Sequence, residues 1–387
     1  MSKKIIIVDD SALMRRIVCD IISMDSRFEV EDQAKDGLEA LELLRKKSYD
    51  AMVLDVNMPR MNGLELLRQM QKERIRTRVM MFSTQTAKDT RETIEALELG
   101  AIDFIQKPEG VMDTGSDAFR VEFLTLLGVV ARAYGSVHLD KVSYGKSSAS
   151  GSASGTSSFG RPSFQTEHRS TFTRQTFTSM NSSGAITTRP GSVLPGEKVV
   201  AIASSTGGPK ALQEVIPKLP GNLNAPVLVV QHMPKGFTKS LAERLDSLSQ
   251  VHVKEAEDGD KLEKGCVYIA AGGKHMKVAR SAGSYRIYYS DEPTREGVKP
   301  CANYMYESLV DSSFAQVCCT VLTGMGADGT EGIVTLEKKK KRYVIAQDEP
   351  SSTVYGMPKA IAQTGLVNEI LPLDKVADAI TKSVGTR

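Results

Sequence analysis

The sequence predicts two α/β domains, each a doubly wound, mostly parallel sheet, joined by a connector with no core of its own. Three observations predict this. Wholly apolar runs alternate with amphipathic stretches over residues 1–135, the alternation restarts at 197, and residues 136–196 between them are dominated by Ser, Thr and Gly. A strand with no polar alternation is covered on both faces, as the strands of a parallel sheet are. A chain of 387 residues also exceeds one hydrophobic core.

The elements follow in order. "KKIIIVDD", "FEVEDQAKDG", "YDAMVLDVNMP", "RVMMFST" and "AIDFIQKP" read as five strands, separated by helical stretches such as "LEALELLRKK" and "RETIEALELG". Ligands of such sheets sit beyond the carboxyl ends of the strands. Asp9, Asp10, Asp55, Ser83 and Lys107 all fall there. Residues 136–196 hold too little aliphatic surface to offset their ordering entropy and read as a flexible tether. Its scattered Phe and Arg residues leave a docking motif open as a second reading. From 197, "KVVAIASS", "APVLVVQHMP", "CVYIAAGG", "SYRIYYSDEP", "CCTVLTGMGADG" and "YVIAQDEP" continue the strand pattern with helices between. Polar motifs again follow the apolar runs.

Composition narrows the function classes. Fifty basic residues against forty-seven acidic leave a net charge of +3, which argues against a nucleic-acid footprint. The run Lys338 to Arg342 reads as a solvated helix end. The five cysteines form no CxxC pair, so reduced thiols and no zinc site are expected. The start "MSKKIIIVDDSALMRR" has too short an apolar stretch for a signal peptide, and no run approaches the roughly 20 residues of a membrane span. A cytoplasmic location is the expectation. Asn181-Ser182-Ser183 is then a chance glycosylation match.

Asp9, Asp10 and Asp55 converge at one end of the first sheet, where like charges raise one another's pKa unless a cation neutralises them. Mg²⁺, a hard ion held by one or two carboxylates and further oxygens, suits such a site. With a hydroxyl and an ammonium at neighbouring strand ends, the motifs "IIIVDDSALMRR", "VLDVNMPRMNGLELL", "MFSTQT" and "GAIDFIQKP" resemble a response-regulator receiver domain of flavodoxin-like fold. That resemblance implies Asp55 as phospho-acceptor, Asp9, Asp10 and Asp55 as Mg²⁺ site, Ser83 and Lys107 as phosphoryl partners, and Phe104 as aromatic switch. It also implies a cis peptide at Lys107-Pro108. A carboxylate nucleophile and a charge-neutralising Mg²⁺ fit phosphoryl transfer.

In the second domain, Ser205 lies between a strand and a helix, where a serine is commonly a cap. His232 and Asp328 end two further strands, so the three side chains meet at one sheet edge. A serine hydroxyl needs a base, and the base needs a carboxylate that orients it. The order Ser, His, Asp and the absence of G-x-S-x-G exclude the α/β-hydrolase arrangement. Amides of "STGG" and near Met325 are candidate oxyanion donors. Two other readings stay open: "SSTGG" as an anion nest of a nucleotide-binding module, and a DNA-binding output.

"SSTGGPKAL", "VVQHMPKGFTKSLAERL" and "LTGMGADG", joined to a receiver, resemble the chemotaxis methylesterase family, CheB, over essentially the whole chain. The resemblance implies a methylesterase domain over 197–387 with Ser205 as nucleophile, His232 as base, Asp328 as orienting acid, and Thr206 and Met325 lining the site. No cofactor is expected in that domain. It implies hydrolysis of glutamate methyl esters on chemoreceptors, glutamine deamidation, a histidine kinase as phosphodonor, membrane contact only through receptors, and a monomer. Two departures from the family are visible. Ile202-Ala203-Ser204 replaces the frequent Ile-Gly-Ala, which makes Ser204 a rival hydroxyl, and the tether is long. Whether "ANYMYESL" contributes to substrate binding stays open.

Overall fold

The computed structural model describes residues 2–108, 116–132, 191–192, 196–281 and 283–387. Nearly all of the stretch 136–196, with its tether, docking-motif and sequon readings, lies outside the described residues.

The first domain runs β1 (Lys3–Val8), α1 (Ala12–Ser23), β2 (Phe28–Ala34), α2 (Gly37–Lys46), β3 (Ala51–Asp55), α3 (Gly63–Glu73), β4 (Arg78–Ser83), α4 (Ala87–Glu98), β5 (Asp103–Gln106) and α5 (Asp117–Arg132). The five strands are parallel in the order β2-β1-β3-β4-β5. β3, "AMVLD", is buried at every position because helices cover both faces. Local signals set the helix starts: Ser11 and Asp36 cap α1 and α2, and Asn62 with Glu65 forms a capping box on α3. The strand order reverses at β1, so the crevice of the doubly wound sheet opens between β1 and β3. Asp9 follows one strand and Asp55 ends the other.

The second domain comprises β6 (Gly191–Ser192), β7 (Lys198–Ser204), α6 (Gly208–Val215), β8 (Val227–Gln231), α7 (Phe237–Leu248), β9 (His252–Glu255), β10 (Glu263–Lys264), β11 (Cys266–Ile269), β12 (His275–Ser281), β13 (Ser284–Ser290), α8 (Ala302–Ser308), β14 (Gln316–Val321), α9 (Thr330–Glu337), β15 (Arg342–Gln347), α10 (Met357–Gln363), β16 (Glu369–Leu371) and α11 (Leu373–Val384). Its main sheet has the order β16-β15-β14-β7-β8-β11-β9 and is parallel throughout. Val199, Ala201 and Ala203 of β7 face a layer with Tyr306 and Ile333, whereas Val200 and Ile202 face Leu212, Leu241 and Ile380. The chain leaves β7 towards β8 and later returns to the other side of β7 with β14. The switch point therefore lies at the carboxyl end of β7, with β8 and β14 as its neighbours.

"SYRIYYSDEP" departs from expectation. β13 pairs antiparallel with β12 in a separate hairpin outside the main sheet. Its polar, alternating pattern suits a hairpin with one wet face better than the interior of a parallel sheet.

The two domains pack through α4 and α7. Phe104 of β5 stacks on Phe237 of α7 with ring centroids 4.4 Å apart, and one apolar core cluster runs through both residues. The hydroxyls of Thr90 and Ser240 share a buried 2.9 Å hydrogen bond. Arg244 holds Glu98 with two bonds of 2.6 and 2.9 Å, and Gln85 Nε2 donates to the Lys235 carbonyl at 2.7 Å. Among the described residues no helix is long and apolar enough to cross a membrane, and the five cysteines are free. Lys339 pairs with Asp311 and Arg342 with Glu337, so the basic run is partly neutralised by its own surroundings.

Candidate active site and phosphorylation site

β7 is apolar from Val199 to Ala203 and closes on Ser204, and the backbone of Ser205 is then tied down on both sides. Its N–H donates to the Thr323 carbonyl at 3.0 Å, and its own carbonyl accepts from Gly208 N at 2.7 Å. Gly207 carries the turn with φ of 76°, a left-handed conformation that a side chain would strain, and an added Cβ would stand 2.4 Å from Thr353 Oγ1. Gly207 is also the N-cap of α6, so Ser205 is not the cap. Among the described residues the Ser205 hydroxyl makes no hydrogen bond. The rival Ser204 is fully buried, and its hydroxyl donates to Gln231 Oε1 at 2.7 Å. A hydroxyl out of reach of solvent and already committed is a poor nucleophile.

His232 follows β8 and Asp328 lies in the glycine-rich loop after β14. Their side chains meet with Nε2 2.7 Å from Oδ2. Asp328 is 2% exposed and gathers three further donors: Ala302 N at 2.6 Å on Oδ2, and Asn303 N at 2.9 Å and Cys301 Sγ at 3.0 Å on Oδ1. Burial pushes the carboxyl pKa up, but His232, the Ala302 amide and the Cys301 thiol more than offset it, leaving the pKa below the usual value. An ionised Asp328 fixes the tautomer that donates from Nε2, so Nδ1 is the nitrogen free to take a proton. Burial and the Asp328 charge keep the Cys301 thiol protonated.

Around Ser205, the amides of Thr206 and Met325 have no acceptor among the described residues. Thr206 follows Ser205 in the chain, and Met325 follows Gly324, where an added Cβ would stand 2.7 Å from Ser205 Cβ. The Met325 side chain is 47% exposed, uncommon for an apolar residue at a sheet edge. Thr206 is buried, and its side chain interacts with the Asp103 carboxyl of the first domain. Desolvation raises the Asp103 carboxyl to about 6, against the hydrogen bond from the Phe104 amide and the Thr206 side chain.

In the first domain, carboxylate oxygens of Asp9, Asp10 and Asp55 lie within 4.8 Å of one another. Lys107 Nζ stands 2.8 Å from both Asp9 and Asp55. Burial, with the Asp9 charge, lifts Asp55 to about 6, while Lys107 opposes the shift. The Ser83 hydroxyl lies 2.7 Å from that of Thr93 on α4. Phe104 is buried against Phe237. Among the described residues the one cis peptide is Lys299-Pro300, so Lys107-Pro108 does not carry the cis bond that the receiver resemblance implied.

The CheB methylesterase family profile matches residues 200–380, and the response regulator receiver profile matches residues 5–114. Curated relatives named protein-glutamate methylesterase/protein-glutamine glutaminase are 38% identical: the Pyrococcus horikoshii protein over 98% of this chain and 93% of its own length, and the Bacillus subtilis protein over 98% of each. The chain belongs to the CheB methylesterase family. A crystal structure of the Thermotoga maritima CheB methylesterase catalytic domain is 40% identical, covering 49% of this chain and 100% of that one with a TM-score of 0.48.

The receiver's acidic cluster fits the Mg²⁺ that such domains use. Three carboxylates face one lysine, and burial, more than the Asp9 charge, raises Asp55, so a bound cation would restore the stabilisation that lost solvent no longer gives its charged form. Asp9, Asp10 and Asp55 supply hard oxygen donors of the kind the ion takes.

Several site residues were given no role from the sequence. Gln231 and Thr323 sat inside the family motifs, Ala302 and Asn303 inside "ANYMYESL", and Cys301 outside them all, yet their hydrogen bonds shape the edge that carries Ser205. Gln231 alone was within reach, as the polar residue closing an apolar strand directly before His232.

Proposed function

We propose that this chain is a phosphorylation-activated esterase that removes methyl groups from chemoreceptor glutamates and deamidates receptor glutamines during chemotactic adaptation. The domains run 1–135, receiver; 136–196, tether; and 197–387, catalytic. The receptors are the substrate, and a chemotaxis histidine kinase supplies the phosphoryl group.

Ser205 Oγ attacks the ester carbonyl while His232 Nδ1 takes its proton, and the amides of Thr206 and Met325 stabilise the oxyanion. Methanol leaves with the proton returned by His232. Water then attacks the acyl-serine with His232 again as base, releasing the glutamate carboxylate and restoring Ser205. Asp328 stays ionised and holds the imidazole. With an amide substrate the leaving group is ammonia. The observation that carries this reading is the 2.7 Å His232–Asp328 bond at the switch point that also presents Ser205.

In the receiver, Asp55 accepts the phosphoryl group, Ser83 and Lys107 bind it, and Asp9 and Asp10 with Asp55 hold Mg²⁺, which neutralises charge during transfer. The Ser83 hydroxyl now accepts from Thr93 of α4, the helix packed against α7, and donates to the Thr84 carbonyl at 3.3 Å, so turning it to the phosphoryl group disturbs the face that covers the catalytic edge. Phe104 lies in that face, and Asp103 touches Thr206 beside the nucleophile. Phosphorylation adds about −1.5 to −2 charges and shifts a two-state interface. A coupling of 1–3 kcal/mol corresponds to about 5- to 150-fold.

Methanol release from methyl-esterified receptor membranes tests the reading, with wild type, Ser205→Ala, Ser204→Ala and Asp55→Ala, each with and without acetyl phosphate. Loss in Ser205→Ala, substantial activity in Ser204→Ala and donor stimulation absent from Asp55→Ala are expected. Full activity in Ser205→Ala would remove the nucleophile assignment.

A further inference from the structure

β7 and β8 end side by side, with Ser204 paired to Gln231 as the last register position. Beyond it the strands part: one turns into α6 with the nucleophile, the other enters the loop that carries His232. Main-chain pairing ends there, with the His232 N–H donating to the Ser204 carbonyl at 3.1 Å as its last bond.

The Gln231 carboxamide takes over at that point. Gln231 is 1% exposed, and every polar position of its side chain is used: Oε1 accepts from Ser204 Oγ at 2.7 Å, and Nε2 donates to the Ser205 carbonyl at 3.0 Å and the His232 carbonyl at 3.1 Å. The network fixes the amide orientation, because a flipped group would set its oxygen against two carbonyls. The two carbonyls set the orientation, and the Ser204 hydroxyl completes it by donating to the oxygen end. Gly208 leaves the room: a Cβ at that position would stand 1.9 Å from Gln231 Oε1 and 2.9 Å from Ser204 Cβ. No positive φ is recorded for Gly208, so the close approach of the amide accounts for the second glycine of "STGG".

We infer that Gln231 is a positioning residue of this esterase, its carboxamide held at the oxygen end by Ser204 and admitted by Gly208 so that it ties the nucleophile's carbonyl to the base's carbonyl. The inference rests on the assignment of Ser205 and His232 above. It also gives the departure at Ser204 a function. The hydroxyl is no rival nucleophile but braces the amide that aligns the true one. Misplacement of reacting groups by about 1 Å costs on the order of 100-fold.

The test uses the full-length enzyme with acetyl phosphate and methyl-esterified receptor membranes, comparing wild type, Gln231→Glu, Ser204→Ala and Ser205→Ala. Gln231→Glu preserves shape but sets oxygen lone pairs against two carbonyls. Its kcat is expected to fall about 100-fold with KM within about threefold of wild type. Its deficit should shrink as pH falls, because a protonated carboxyl regains one donor. Ser204→Ala, which adds no bulk and needs no refolding of the turn, should lose about three- to tenfold in kcat with KM unchanged. If Gln231→Glu does not fold, Ser204→Ala decides alone. Wild-type kcat in whichever variant decides, or a loss confined to KM, overturns the inference. An inactive wild type or an active Ser205→Ala would instead overturn the esterase reading.

Discussion

Replacing Thr90 by valine should switch the unphosphorylated enzyme partly on. Thr90 and Ser240 are 2% and 8% exposed, and their hydroxyls bond at 2.9 Å where α4 meets α7. Valine keeps the branched shape but leaves the Ser240 hydroxyl buried without that partner whenever the domains are closed. An unsatisfied buried hydroxyl costs about 1–3 kcal/mol. Burial of the added methyl offsets part of that, leaving roughly 1–2 kcal/mol. Apart, both side chains meet water and the cost vanishes, so the closed state alone is weakened. At RT of about 0.59 kcal/mol, basal activity should rise about 5- to 30-fold, capped at the donor-stimulated level. The assay is methanol release without phosphodonor. Thr90→Ser, which restores the hydroxyl, should behave as wild type. Basal activity of Thr90→Val within twofold of wild type, with donor stimulation intact, would refute the closure account.

Three further outcomes are expected. Cys301→Ala removes one of the four donors on Asp328 and should lower kcat about three- to tenfold, with recovery in Cys301→Ser; steady-state kinetics checks this. Asp103 is raised to about 6 when covered and returns to the ordinary carboxylate range when exposed, so the closed state holds the extra proton. Closure is therefore favoured as pH falls and lost as pH rises through about 6. The ratio of donor-stimulated to basal activity should grow on acidification in wild type, and Asp103→Asn should flatten that trend. Mg²⁺ binding should weaken as pH falls through about 6, where Asp55 protonates, as read from Mg²⁺-dependent thermal stabilisation.

Both sheets were legible because a parallel strand buried on two faces writes itself as an unbroken apolar run: "KVVAIASS" and "YDAMVLDVNMP" could be little else. Edge strands were not. β9, "HVKE", and β16, "EIL", are short strands at the two edges of the sheet with a single buried residue, Val253, between them. Of the β12–β13 hairpin, β13 was read as a further strand of the main pattern and β12 was not read at all, since one strand shows nothing of its pairing partner. Ser205, His232 and Asp328 stood out because catalytic residue types followed apolar strands. Gln231 and Cys301 did not, because their task is to hold other residues. That task exists only once the chain has folded and leaves no periodicity.

The claim at the centre of this account is that Ser205 is the nucleophile and that the receiver governs access to it. Labelling with a fluorophosphonate ester, which modifies activated serines, reads both at once when the adduct is located by peptide mass spectrometry. The account predicts an adduct on Ser205, formed faster with acetyl phosphate in wild type and at an unchanged rate in Asp55→Ala. An adduct on Ser204, or a Ser205 rate indifferent to the phosphodonor in wild type, would contradict it.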